Sequence, residues 1–146
     1  MTNLEEAKKF FSADSYACEV TGIEILEVRE HYAKCRLKID RRHKNAVGQV
    51  MGGVAYTLAD FVFAVATNDT DSMTVTSVSQ ISYLHTCRGE YLIGDCEMLK
   101  DGKRQCFYRI DIRDETGELI AVVNTNGTHL GKKPEEHKER NSHNEL

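Results

Sequence analysis

Between Val54 and Ala66 the chain reads VAYTLADFVFAVA, with Thr57 and Asp60 as its polar exceptions. Apolar residues fill both strand parities and most of the helical wheel, so the segment has almost no wet face. Its length and its alanines favour a helix hidden on nearly all sides. The remainder of the chain must therefore wrap it.

The flanking sequence supplies strands for that purpose. Gly22 to Glu30 and Tyr32 to Asp40 alternate, with Ile23 and Ile25 against Glu24, then Cys35, Leu37 and Ile39 against Lys34, Arg36 and Lys38. They predict a hairpin with one wet face on each strand. Three more strand-like runs follow, Met73 to Leu84, Tyr91 to Leu99 and Gln105 to Arg113, and a last run from Glu118 to Leu130 completes an expected meander. Lys100-Asp-Gly-Lys103 and Asp114-Glu-Thr-Gly117 provide turns. At the start, Asn3 and Glu6 resemble a capping box, and Leu4, Ala7, Phe10 and Phe11 share a helical face. The expectation is an α+β domain: five or six long antiparallel strands curled around one buried helix, plus a short N-terminal helix.

A chain of 146 residues is one domain, large enough to support a core without staples. Residues 1–131 make that domain. The segment 132–146 is nearly all polar and is expected to be a disordered tail. A net charge of -4 lacks the basic field that phosphate-backbone binding requires, so nucleic acid is not an expected partner. The acidic pair Glu5-Glu6 stands where a secretory signal would be basic, and no apolar run reaches the length of a membrane span. A cytoplasmic protein without a membrane partner is the expectation. The five cysteines are odd in number and form no C-x-x-C pair, which points to reduced thiols. The six histidines show no metal-binding spacing, so neither a metal nor any other cofactor is expected.

Asp60 is the one ionisable group in the enclosed helix, and burying a lone carboxylate is costly unless it is paired, hydrogen-bonded or neutralised. Gly52 and Gly53 precede it at the helix start. There a ligand can approach the backbone, and unpaired N–H groups with a favourable dipole can receive developing negative charge. The carboxylate and the donors lie on nearly one face but about 12 Å apart in helical rise, too far for a single reacting centre. Two such helices set antiparallel in a dimer would bring Asp60 of one subunit to Gly52 of the other.

The stretch from His43 to Asp60, with His43, Asn45, Gly48, Gly52, Gly53, Leu58 and Asp60 in place, resembles the H-x-N-x-x-G-x-x-H-G-G-x-x-x-x-L-x-D motif of hotdog-fold thioesterases. It is most similar to the branch of phenylacetic-acid-degradation thioesterases and mammalian acyl-CoA hydrolases, and the likeness extends through Ile81-Ser-Tyr83-Leu84 to Leu130. The resemblance implies a homodimer or homotetramer that hydrolyses acyl-CoA thioesters without a cofactor. It implies that the Gly52 N–H polarises the thioester carbonyl, with Asn45 near the same oxygen or the water. It makes Asp60 the general base or nucleophile, and gives Thr76 a hold on the attacking water, with Thr74 and Ser77 as rivals. Gly48, Met51, Gly53 and Tyr83 would line the substrate site.

Met51 occupies the position where the family has histidine, and a thioether neither carries a proton nor donates a strong hydrogen bond. Slow hydrolysis is the expectation, and a non-catalytic acyl-thioester-binding protein is the alternative. A hotdog dehydratase is a weaker third reading, because the helix contains no histidine. Lys103 and Arg104, with Lys100, Lys132, Lys133 and the run Arg41-Arg-His-Lys44, are candidates for the phosphates of CoA. His85 and Cys87, two apart on an expected strand, pose a rival Cys-His nucleophile.

Overall fold

The computed structural model describes residues 1–131, so the expected tail, with Lys132 and Lys133, lies outside the described residues. Helix α1, Leu4–Phe11, starts as predicted, with the Glu6 N–H donating to Asn3 Oδ1 at 3.0 Å. It buries Ala7 and Phe11. A turn of π-helix, Tyr16–Thr21, follows and ends on Gly22 at φ 82°. No periodic signal in the sequence marks that turn.

Strands β1, Ile23–Arg29, and β2, Tyr32–Lys38, form the expected antiparallel hairpin. A bulge at Leu26 shifts the register, which is why both Ile25 and Val28 face inward despite their odd spacing. Helix α2 runs Gly52–Thr67, and β3 (Thr74–Tyr83), β4 (Tyr91–Asp101), β5 (Gln105–Asp114) and β6 (Leu119–His129) complete a six-stranded sheet.

Strand order corrects the meander. It is β1-β2-β4-β5-β6-β3, so β3 leaves its sequence neighbours and pairs with β6 at the far edge. Four strand spacings separate β2 from β3, about 19 Å. The 16 residues of α2 rise about 24 Å, so the helix spans the sheet's inner face and delivers the chain to the opposite edge.

The core lies between α2 and the concave face of the sheet. Leu58, Phe61, Val62, Phe63 and Val65 are buried there, each worth about 2 kcal/mol relative to exposure. Opposite them β5 points Cys106, Tyr108, Ile110 and Ile112 inward at alternate positions. Two glycines let the helix settle onto the strands. A Cβ at Gly94 would lie 3.1 Å from Val62, and one at Gly127 would lie 2.6 Å from Phe63.

The enclosure of α2 is incomplete, which is the second correction. Gly53 and Asp60 are exposed, and Thr57 and Ala64 are half-buried. Spaced at four, three and four residues, these four define an open stripe along one side. The stripe adjoins β3, whose exposed residues include Val75 and Val78. Asp60 is therefore not a core carboxylate in the single chain.

Candidate active site

The loop from Asp40 to Met51 sets the start of α2, and His43 holds that loop. The ring is 2% exposed; the Asp40 N–H donates to its Nδ1 at 2.9 Å, and its Nε2–H donates to the Thr21 carbonyl at 2.7 Å. These partners fix the neutral tautomer, with Nδ1 accepting and Nε2 donating. The His43 carbonyl then receives the Met51 N–H at 2.8 Å, immediately before the helix. His43 is thus a post between the π-helical turn and α2. We expect His43→Ala to cost about 3 kcal/mol, since it strands a buried carbonyl and an N–H, and chemical denaturation read by circular dichroism measures the loss.

Asn45 works in the same loop. Its Oδ1 accepts the N–H groups of Val47 and Gln49, both at 3.1 Å, so its amide nitrogen is the end left without a partner among the described residues. Gly48 closes the turn at φ 78° with nothing within 4 Å of a would-be Cβ, so it serves the backbone rather than a contact.

At Gly52 the helix begins without a side-chain cap, because Met51 stands at the N-cap position. Among the described residues neither the Gly52 nor the Gly53 N–H finds an acceptor. Both belong to the donors that a helix start leaves unsatisfied. Gly52 borders a pocket of about 350 Å³ whose apolar lining includes Ala55, Leu84, Leu92 and Ile120. Tyr83 packs over this corner so closely that a Cβ on Gly52 would lie 2.8 Å from its phenolic oxygen. Met51 is 56% exposed, with its terminal methyl over Gly53.

Asp60 lies two turns further along, away from those donors. Thr76 donates its hydroxyl to Asp60 Oδ1 at 3.3 Å. Its rivals are committed elsewhere: Thr74 is buried against His129, and Ser77 pairs with Thr128. The walls around the Asp60 carboxyl strip part of its hydration and raise its pKa above the ordinary 3.8. The Thr76 hydrogen bond pulls the value back, and the negative Asp14 pushes it up again.

One chain does not bring all the expected residues together. Lys103 and Arg104 sit in the β4–β5 turn, where the Arg104 carbonyl accepts the His129 N–H at 2.9 Å. His129 pairs with Thr74, at the opposite end of β3 from Tyr83 and Gly52. His85 and Cys87 lie in the loop after β3 rather than on a strand. His85 Nδ1 turns to the Leu119 carbonyl at 3.0 Å, and burial raises the Cys87 thiol, so the Cys-His nucleophile has no geometric basis.

A six-stranded antiparallel sheet curled around one long helix, with open backbone donors at the helix start, is the hotdog architecture of a thioester hydrolase. The chain belongs to the thioesterase superfamily, whose family model matches residues 47–121. It is 27% identical over 133 residues to the acyl-coenzyme A thioesterase 13 of Mus musculus, covering 88% of this chain and 95% of that protein. The PaaI protein from the phenylacetic acid degradation operon of E. coli superposes with a TM-score of 0.77 at 21% identity, covering 90% of this chain and 99% of that one. A hypothetical thioesterase of Streptococcus pneumoniae, solved with coenzyme A, gives a TM-score of 0.77 at 22% identity over 86% and 98% of the two chains. Among the described residues no helix is long and apolar enough to cross a membrane.

Proposed function

We propose that this protein hydrolyses acyl-CoA thioesters at a site shared between two copies of the chain. The observation that carries the reading is the pair of unpartnered N–H groups of Gly52 and Gly53 at the helix start, where Gly52 lines a pocket with Ala55, Leu84, Leu92 and Ile120 among its walls. Attack on a thioester carbonyl creates a tetrahedral oxyanion, and a fixed N–H donor for it is worth about 3 kcal/mol. The acyl group enters the pocket beneath Leu84 and Ile120, and the Asn45 amide approaches the same oxygen. Asp60, with its raised pKa, removes a proton from water or attacks directly, and Thr76 steadies the attacking group. Thiolate is a good leaving group, so no dedicated acid is needed. Lys103 and Arg104 remain candidates for the CoA phosphates, reaching a substrate from the neighbouring subunit.

Asp60 lies eight residues after Gly52 on one helix, about 12 Å of rise, so one chain's donors and carboxylate do not meet at one carbon. Strand β3 supports a dimer as the remedy. It is ten residues long, pairs on one side only, and exposes Val75 and Val78. A long unpaired edge of that kind is a template for pairing with another chain. Two β3 edges joined antiparallel place the open stripes of both α2 helices beside each other, and Asp60 of the partner subunit then approaches Gly52.

A non-catalytic acyl-thioester binder is the second reading, favoured by Met51 at the uncapped helix start. Thiol release from a panel of short, long and aryl-CoA esters separates the two. The enzyme predicts turnover of at least one ester, and binding of all with turnover of none rejects it. Because the oxyanion donor is backbone, the natural protein should be active but slow. Met51→His should raise kcat/KM about tenfold, equivalent to about 1.4 kcal/mol, by adding a polar contact near the carbonyl or sulfur.

A further inference from the structure

At the sheet rim away from Gly52, three neighbouring strands present different donor atoms to one point. Asp101 is the last residue of β4, Cys106 the second of β5 and His129 the last of β6. Asp101 and Gly127 both pair with Cys106, so His129, two residues beyond Gly127, shares their face of the sheet. His129 Nε2 lies 2.8 Å from Asp101 Oδ1, and one ring nitrogen of His129, one carboxylate oxygen of Asp101 and Cys106 Sγ all lie within 4.8 Å of one another. Asp101 and His129 open on a cavity of about 500 Å³ that His31 and Tyr108 also line.

The orientation of the His129 ring adds an independent observation. Its Nδ1 lies 2.8 Å from the buried Thr74 hydroxyl, which itself lies 3.4 Å from the Thr67 carbonyl oxygen. A hydroxyl has one proton to give. Donated to Nδ1 across the shorter contact, it leaves Nε2–H to donate to Asp101 Oδ1; donated to Thr67, it leaves Thr74 Oγ1 to accept from Nδ1–H and frees the Nε2 lone pair for a cation. The ring can thus exchange its Nε2 proton for a metal ion without losing the hold of Thr74. A hydrogen bond joins only the ring and the carboxylate; a metal ion takes the Cys106 thiolate as well.

We propose that Asp101, Cys106 and His129 bind one zinc-class divalent ion, with the cavity side left for a water. Imidazole nitrogen, thiolate sulfur and carboxylate oxygen are a donor set that Zn²⁺ accepts in tetrahedral geometry. Bonds of that kind hold ligand atoms about 3.5 Å apart, so the 2.8 Å His129–Asp101 contact opens and the atoms up to 4.8 Å apart close in. Thr74 fixes the ring through its other nitrogen, as outer hydrogen-bond partners of metal-bound histidines do. His31 Nε2 lies 3.9 Å from the second carboxylate oxygen, Asp101 Oδ2. The ion ties together the ends of β4, β5 and β6, apart from the thioester site. Sequence spacing hid this set because its members come from three strands.

The test is titration of the metal-free, full-length protein with Co²⁺, followed by displacement with Zn²⁺. One equivalent should bind with tetrahedral ligand-field bands and a thiolate-to-cobalt charge-transfer band. Cys106→Ser should abolish the charge-transfer band. Asp101→Asn should weaken binding at least about tenfold and Thr74→Val about 10- to 100-fold, with circular dichroism confirming the fold. Where the buried Cys106→Ser fails to fold, the half-open Asp101 carries the test. No stoichiometric uptake, or uptake and spectrum unchanged by Asp101→Asn and Thr74→Val, overturns the proposal and leaves a shared proton between His129 and Asp101.

Discussion

Asp60→Asn should lower kcat at least about 100-fold while acyl-CoA binding persists, because the amide keeps the shape of the carboxylate and loses its basicity. The pH profile distinguishes this from a positioning effect. A raised Asp60 pKa puts the acidic limb of kcat/KM above pH 3.8, with activity falling as the carboxylate takes up its proton, and the variant's residual activity should lack that limb. Stability should move the other way. The folded chain holds the Asp60 proton more tightly than the unfolded chain, so between the ordinary and the raised pKa stability falls as pH rises, and above that window the ionised group is a standing cost. At neutral pH the asparagine variant should melt no lower than the wild type. Wild-type turnover by Asp60→Asn would reduce Asp60 to a structural carboxylate.

Val78→Lys should yield a folded monomer with at least about 100-fold less activity, because it separates each oxyanion donor from the carboxylate that serves it. Val78 is 60% exposed in the chain, so a lysine there costs the monomer little and sets like charges across the proposed seam. Light scattering gives the mass, circular dichroism the fold, and thiol release the activity. A fully active monomer would end the shared-site reading, whereas an inactive dimer would place the defect elsewhere.

Much of this was legible from periodicity. All six strands begin and end within about two residues of the strand-like runs, since burial of one sheet face tends to write itself as a period of two. The N-cap Asn3 and the glycine pair at the start of α2 were equally local. Other features had no local signature. His43 reads in sequence as part of a motif, yet its bonds to Thr21 and Asp40 make it a structural post. The π-helical turn at Tyr16–Thr21 left no pattern to find.

What the sequence determined by itself was the set of elements and the demand that a sheet enclose α2, because hydrophobic period and turn chemistry act over a few residues. Tertiary structure decided which strands became neighbours, and with that the rest. Carrying β3 to the far edge left one valine-bearing side unpaired, kept the Gly53–Asp60 stripe open, and set Thr76 rather than Thr74 or Ser77 against the carboxylate. The same pairing gathered Asp101, Cys106 and His129 at one rim. Such contacts join residues tens of positions apart, and they exist only once the helix has crossed the sheet and packing has fixed the register of every strand.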